Sequence, residues 1–167
     1  MPAAEHHTND VEPSGGAFSA KDIQQYLRAL GVRKSVSSVQ GASGSRNKHF
    51  EISDAISVLN SFNFKTSFGK TKAKKWENTW LPILVFLNDG SAQVIISFEY
   101  GVSVNVLRNK RRSPVEEIAW SDFEKSFSGY SLLAKKMSPE EVKQTTGHWF
   151  FSAFRSSRWL YFQVLLA

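Results

Sequence analysis

The chain has 167 residues, 41% of them hydrophobic and 22% charged, with a formal net charge of +6. That composition excludes disorder of the whole chain and suits one domain with its own core. The absence of cysteine excludes disulfides, thiolate zinc sites and a cysteine nucleophile within the chain, and it fits a reducing cytoplasm.

Residues 1–17 (MPAAEHHTNDVEPSGGA) are polar, acidic and rich in Pro and Gly, which predicts a disordered arm. The His6-His7 pair has no third ligand close in sequence, so no metal site is expected there. Ser19 followed by Asp22 reads as a helix cap, and Ile23, Tyr26, Leu27 and Leu30 recur at helical spacing before Gly31. The stretch GASGSRNK (41–48) reads as a loop, and a second helix is expected over Ser53–Ser61, with Ile56 and Leu59 on its apolar side.

After Asn63 the period changes. FKTSF (64–68) reads as a short strand, and LPILVFL (81–87) as a central strand buried on both faces. Asn88-Asp89-Gly90 marks a hairpin turn. Ala92, Val94, Ile96 and Phe98 alternate with polar residues, as do Val102, Val104 and Val106, predicting two antiparallel strands. Ser121–Glu124 has the spacing of a capping box on a short helix ending by Gly129. YSLLAKK (130–136) returns to strand, and Ser138–Glu141 is a second box with Pro139 at the first helical position. Helices, then a mostly antiparallel sheet, then a helical tail make an α+β domain.

Motifs for chemistry are scarce. Gly69-Lys70-Thr71 matches the end of a phosphate-binding loop, but Phe64 holds the position of its first glycine, so no nucleotide or other cofactor is expected. The basic runs KTKAKK (70–75) and RNKRR (108–112) read as solvated loops at sheet edges, where lysine blocks pairing. The positive charge keeps open a second reading, a small basic module for nucleic acid or an anionic membrane surface. Glu116-Glu117 and Glu140-Glu141 read as surface and helix-start charges rather than a carboxylate pair.

The chain given ends in HWFFSAFRSSRWLYFQVLLA (148–167). A membrane-spanning helix is disfavoured, since Arg155 and Arg158 would each cost about 2.5–3.5 kcal/mol at a bilayer centre. Trp149, Phe150, Trp159 and Tyr161 with those arginines suit a helix in the membrane interface that runs on toward a span. A helix packed on the domain's own core is the other reading.

The order of elements and the stretches LPILVFLNDG (81–90), GYSLLAKK (129–136) and, above all, HWFF…WLYFQVLLA (148–167) resemble a known family. It is the N-terminal domain of ABC transporters of type I secretion systems, the branch exporting haemolysin-type RTX toxins and large adhesins, with the adhesin exporters most alike. The resemblance covers roughly residues 20–167. In that family a similar His-Trp-Phe segment leads into the first transmembrane helix. The domain is related to the papain-like cysteine peptidase of bacteriocin exporters, which cleaves a leader peptide with a Cys-His-Asp site.

The resemblance therefore implies a papain-like cysteine peptidase fold over residues 18–137, with residues 138–167 as linker and amphipathic helix. It places Ala92 in the histidine slot, after Asp89-Gly90-Ser91, and the cysteine slot near Ser19. The aspartate slot falls within Asn105–Asn109, which holds no aspartate. Without thiolate and imidazole the chemistry has neither nucleophile nor base. What remains implied is a non-catalytic docking platform for an unfolded secreted protein, at the cytoplasmic face of the bacterial inner membrane. Its partners would be the membrane and ATPase domains of the same chain, within a homodimeric exporter, with no nucleic acid involved. Lys and Arg beside a membrane entry agree with the positive-inside rule.

Deleting residues 148–167 should raise solubility and leave the β circular-dichroism signal intact. Loss of that signal would assign the segment to the core.

Overall fold

The computed structural model describes residues 18–46, 50–110 and 112–143. The arm at 1–17 and the segment at 148–167, with Trp149, Phe150, Arg155, Arg158, Trp159 and Tyr161, lie outside the described residues.

Three helices open the domain: α1 (Ala20–Ala29), α2 (Val36–Ser43) and α3 (Ile52–Ser61). Ser19 caps α1 as its sequence spacing predicts. Its backbone N–H donates to the Asp22 carboxylate at 2.8 Å, and its hydroxyl reaches the same oxygen at 3.2 Å. Gly31 then turns the chain with φ +89°, a conformation that favours glycine.

Helix α2 is a correction. The glycines and serines of 41–43 predict a loop, but they complete a helix started by Ser35, whose hydroxyl accepts from the Ser38 N–H at 3.1 Å. Val39 fixes that helix to the core, being fully buried. Tertiary burial of one valine overrides weak local propensity.

Six antiparallel strands follow: β1 (Phe64–Lys70), β2 (Ile83–Leu87), β3 (Ala92–Glu99), β4 (Ser103–Leu107), β5 (Val115–Ala119) and β6 (Phe127–Lys136), in the order β1-β6-β2-β3-β4-β5. Helix α4 (Trp120–Ser126) joins β5 to β6, and α5 (Pro139–Lys143) follows β6. The sheet carries a core on each face. Helices α1–α3 cover one, where Ile23, Tyr26, Leu27, Val39 and Leu59 pack on Leu84, Phe86, Val94 and Leu132. On the other, Trp76, Trp120 and Phe123 pack on Ile83, Val85, Ile95, Val104 and Val106. Every residue of β2 is buried, which is why LPILVFL shows no alternation.

Two further expectations give way. The Ser121–Glu124 capping box does not form, because α4 starts two residues earlier, at Trp120, with Ala119 at the cap and no side-chain cap bond. Burial of Trp120 (5% exposed) sets that start. Helix α4 ends at Ser126, before Gly129 as expected, and passes directly into β6. Phe98 does not share a face with Ala92, Val94 and Ile96. Ile95 pairs with Val106 and Ser97 with Asn105, so Ile96 is an extra residue, and this bulge turns Phe98 to the Trp76 side. The second box does form, with Ser138 and Glu141 bonded reciprocally. The Lys65 ammonium and the Ser138 N–H hold the Glu141 carboxyl down at about 2.

The two layers are joined by one buried hydroxyl. Tyr26 Oη lies 3.1 Å from both the Pro82 carbonyl, just before β2, and the Leu132 carbonyl in β6. Burial pushes its ionisation well above the ordinary 10.0. Replacing it (Tyr26→Phe) should cost about 1–2 kcal/mol at neutral pH, because the buried carbonyls lose their donor. The folded-state value is raised, so the unfolded chain releases this proton first. The wild type should then lose stability more steeply than Tyr26→Phe above about pH 10. Parallel decline of the two urea midpoints with pH would contradict this assignment.

Candidate functional site

Of the three slots implied by the peptidase resemblance, the cysteine slot near Ser19 lies at the N-terminal end of α1. Phe18, one residue before Ser19, is buried with its ring edge-on to Phe86 at 5.2 Å. Phe86 in turn pairs directly with Ala92 across β2 and β3. Phe86 thus neighbours both Phe18, by ring contact, and Ala92, by strand pairing. Leu107 stands opposite Val94, which brings the end of β4 beside the start of β3. From there Asn109 borders α1, sharing a pocket with Gln24, Gln25 and Arg28.

The side chains at these slots supply no acid–base pair. Ala92 ends in a methyl group packed against the helix-side core. Ser19 Oγ is bonded to Asp22, in the cap that starts α1. Burial raises the Asp22 carboxyl even as Ser19 donors hold it. Asp89 is also spent locally: Ser91 donates to it from its N–H at 2.9 Å and its hydroxyl at 2.6 Å, and these bonds depress its ionisation. Asn105 donates to Ser97 Oγ at 3.0 Å, a cross-strand contact. The four histidines, His6, His7, His49 and His148, lie outside the described residues. Among the described residues no group of three potential ligands could hold a metal.

Thr71 of the Gly69-Lys70-Thr71 motif has a structural task. Its hydroxyl accepts from the Trp76 indole N–H at 3.1 Å and pairs with the Ser131 hydroxyl. Gly69 and Lys70 lie in β1. In the second basic run, Arg108 and Lys110 both lie near Glu116, at 3.1 and 3.8 Å.

A larger concavity lies toward the other end of α1. It is a groove of about 700 Å³, with Leu30 of α1, Thr79, Trp80, Leu81 and Pro82 before β2, Lys65 and Ser67 of β1, and Leu133 and Lys135 of β6 among its walls. Ser67 Oγ is buried there without a hydrogen-bond partner among the described residues. β1 is one of the two edge strands, the other being β5, and pairs only with β6 in the sheet. Sequence reading missed this groove. Its apolar floor is assembled from β6 and a turn that are far apart in the chain, and Trp80 by itself signals only a nearby basic run.

No protein-family model matches the sequence, and no curated protein matches it. Solved structures do. The N-terminal peptidase C39-like domain of the toxin secretion ATP-binding protein from Vibrio parahaemolyticus superposes with a TM-score of 0.58, covering 71% of this chain and 94% of that one at 17% identity. The peptidase domain of Streptococcus ComA, a bifunctional ABC transporter of a quorum-sensing pathway, gives 0.60 over 75% of this chain and all of that one, at 9% identity.

The fold is that of the C39 peptidase-like domains. A double glycine motif protease from an AMS/PCAT transporter, solved with its leader peptide, shares the C39 fold with a TM-score of 0.58, over 75% of this chain and 94% of that one, at 13% identity. The α+β, papain-like expectation is met.

Incubating the full chain with a double-glycine leader peptide should yield no cleavage product by mass spectrometry. A product that disappears in Ser19→Ala would show that the hydroxyl had taken over as nucleophile.

Proposed function

We propose that this chain is a non-catalytic docking domain of a type I secretion ABC exporter. It binds an unfolded secreted protein of the RTX or large-adhesin class at the cytoplasmic side of the bacterial inner membrane. The observation that carries this reading is a C39 peptidase-like fold in a chain whose sequence has no cysteine; the resemblance's assignment of Ala92 to the histidine slot supports it. A cysteine peptidase needs both a thiolate and an imidazole. The fold's polypeptide-binding shape survives without them.

The groove beside β1 supplies a physical means of docking. An edge strand offers unpaired N–H and C=O groups to an extended segment, and alternate side chains of that segment then meet the groove walls. Trp80, Leu81 and Leu133 receive an apolar side chain, while Lys65 and Lys135 border it. On this reading residues 138–167 link the domain to its membrane and ATPase domains, Trp149, Phe150, Arg155, Arg158, Trp159 and Tyr161 mark the membrane entry, and the exporter is a homodimer.

The probe is reduced, carboxymethylated α-lactalbumin, which stays unfolded, with native α-lactalbumin as control. The full chain should bind the unfolded form only. Trp80→Ala should weaken that binding about tenfold with unchanged circular dichroism. Equal binding of both forms, or of neither, would sink the docking reading. Full binding by Trp80→Ala would move docking out of the groove.

A further inference from the structure

We propose that the pocket between α1 and Asn109 is a second contact, one that holds carboxylates of an acidic polypeptide segment. The proposal rests on the docking reading and adds to it the charge of the docked segment.

Six residues line this pocket of about 360 Å³: Gln24, Gln25, Arg28, Arg33, Lys34 and Asn109. Three are cations and none is an anion. Arg28 and Arg33 are exposed and take no ion pair among the described residues. Lys34 makes a cation–π contact, 5.0 Å from the Phe62 ring centroid, which leaves its charge unneutralised. The basic run at 108–112 differs, since Arg108 and Lys110 share Glu116.

The pocket is also held in shape. Gln24 Nε2 donates to the Lys34 carbonyl at 2.8 Å, tying the loop after α1 back onto the helix and setting Arg33 and Lys34 beside Arg28. Gathering like charges without a counter-ion costs free energy that a bound anion recovers. Guanidinium groups favour planar oxyanions, which they grip in a two-pronged fashion.

The rest of the lining argues for polypeptide rather than phosphate. A phosphate site needs donors alone. Here three carboxamides offer acceptors as well as donors, which matches a backbone carrying N–H and C=O groups between its acidic side chains. The location agrees. Asn109 belongs to the stretch where the peptidase resemblance places a catalytic carboxylate, so the pocket borders the former cleft. A position expected to be anionic has become part of a cationic receptor.

The test uses the full chain with a fluorescein-labelled Glu-Gly-Ser repeat peptide and a Gln-Gly-Ser peptide of equal length. The acidic peptide should bind about tenfold more tightly, and the preference should shrink as salt rises. The double variant Arg28→Gln/Arg33→Gln should lose the preference. Lys74→Gln/Lys75→Gln removes the same charge from exposed residues outside the pocket and should keep it.

Equal loss in both double variants would overturn the proposal in favour of attraction to net charge. Displacement of the peptide by dilute inorganic phosphate would overturn it in favour of a phosphate site. Binding only after removal of residues 1–17 would overturn it too, with Glu5, Asp10 and Glu12 of the chain's own arm as occupant. If unfolded α-lactalbumin docks at Trp80 while the two repeat peptides bind alike, this proposal fails and the docking reading stands. If the acidic preference holds but unfolded and native α-lactalbumin bind alike, the docking reading fails and the pocket stands.

Discussion

One strand must satisfy two cores, and the rest of the domain is arranged around it. All five residues of β2 are buried, with Leu84 and Phe86 under the helices and Ile83 and Val85 under Trp76 and Phe123. A polar side chain at any of them would bury an unpaired group, at a cost of about 1–3 kcal/mol. β2 also lies between β3, its hairpin partner, and β6, which returns from much later in the chain. The helices gain their position through the same strand. Tyr26 bonds to the carbonyl of Pro82 at its entry and to Leu132 on its neighbour, and Phe18 leans on Phe86 near its exit.

This arrangement separates architecture from chemistry. The positions that the resemblance assigns to the cysteine and histidine slots, near Ser19 and at Ala92, are held by the Phe18–Phe86 contact and the Phe86–Ala92 pairing, both apolar or backbone interactions. Neither uses a catalytic side chain. A thiol, an imidazole and a carboxylate can therefore be absent while the C39 peptidase-like geometry remains. Where polar groups do persist near the slots, they serve the backbone: Asp22 caps α1 and Asp89 pins the hairpin turn through Ser91. At the start of β3 and the start of α1 these carboxylates are therefore engaged in local hydrogen bonds.

Legibility in the sequence followed the range of the interaction. Helix α1, the β2–β3 hairpin and the box at Ser138 depend on residues a few positions apart, and their patterns were readable. α2 was hidden because its amphipathic signal is nearly confined to Val39. β5 was missed because its residues alternate Val115, Glu116, Glu117 and Ile118, with no clean period of two, on an edge strand that is half exposed. The bulge at Ile96 is set by pairing with β4 and is invisible to a period count. At the site, Asp89-Gly90-Ser91 led the resemblance to place the histidine slot at Ala92. The groove at Trp80 and the pocket at Arg28 were not, because each is built from segments that only the fold brings together.

The groove and the pocket have different chemistry and both touch α1, a ten-residue helix about 15 Å long. Leu30, just past its C-terminal end, borders the apolar groove, and Gln24, Gln25 and Arg28 border the cationic pocket. An extended chain covers that length in about five residues. One unfolded segment with separated apolar and acidic residues can then reach both. Its second contact forms at the high effective concentration set by the first, so the pair binds well while each part binds weakly. Under the docking role proposed above, a substrate must be caught and then let go, and two weak contacts release in succession, each over a barrier lower than that of one tight site.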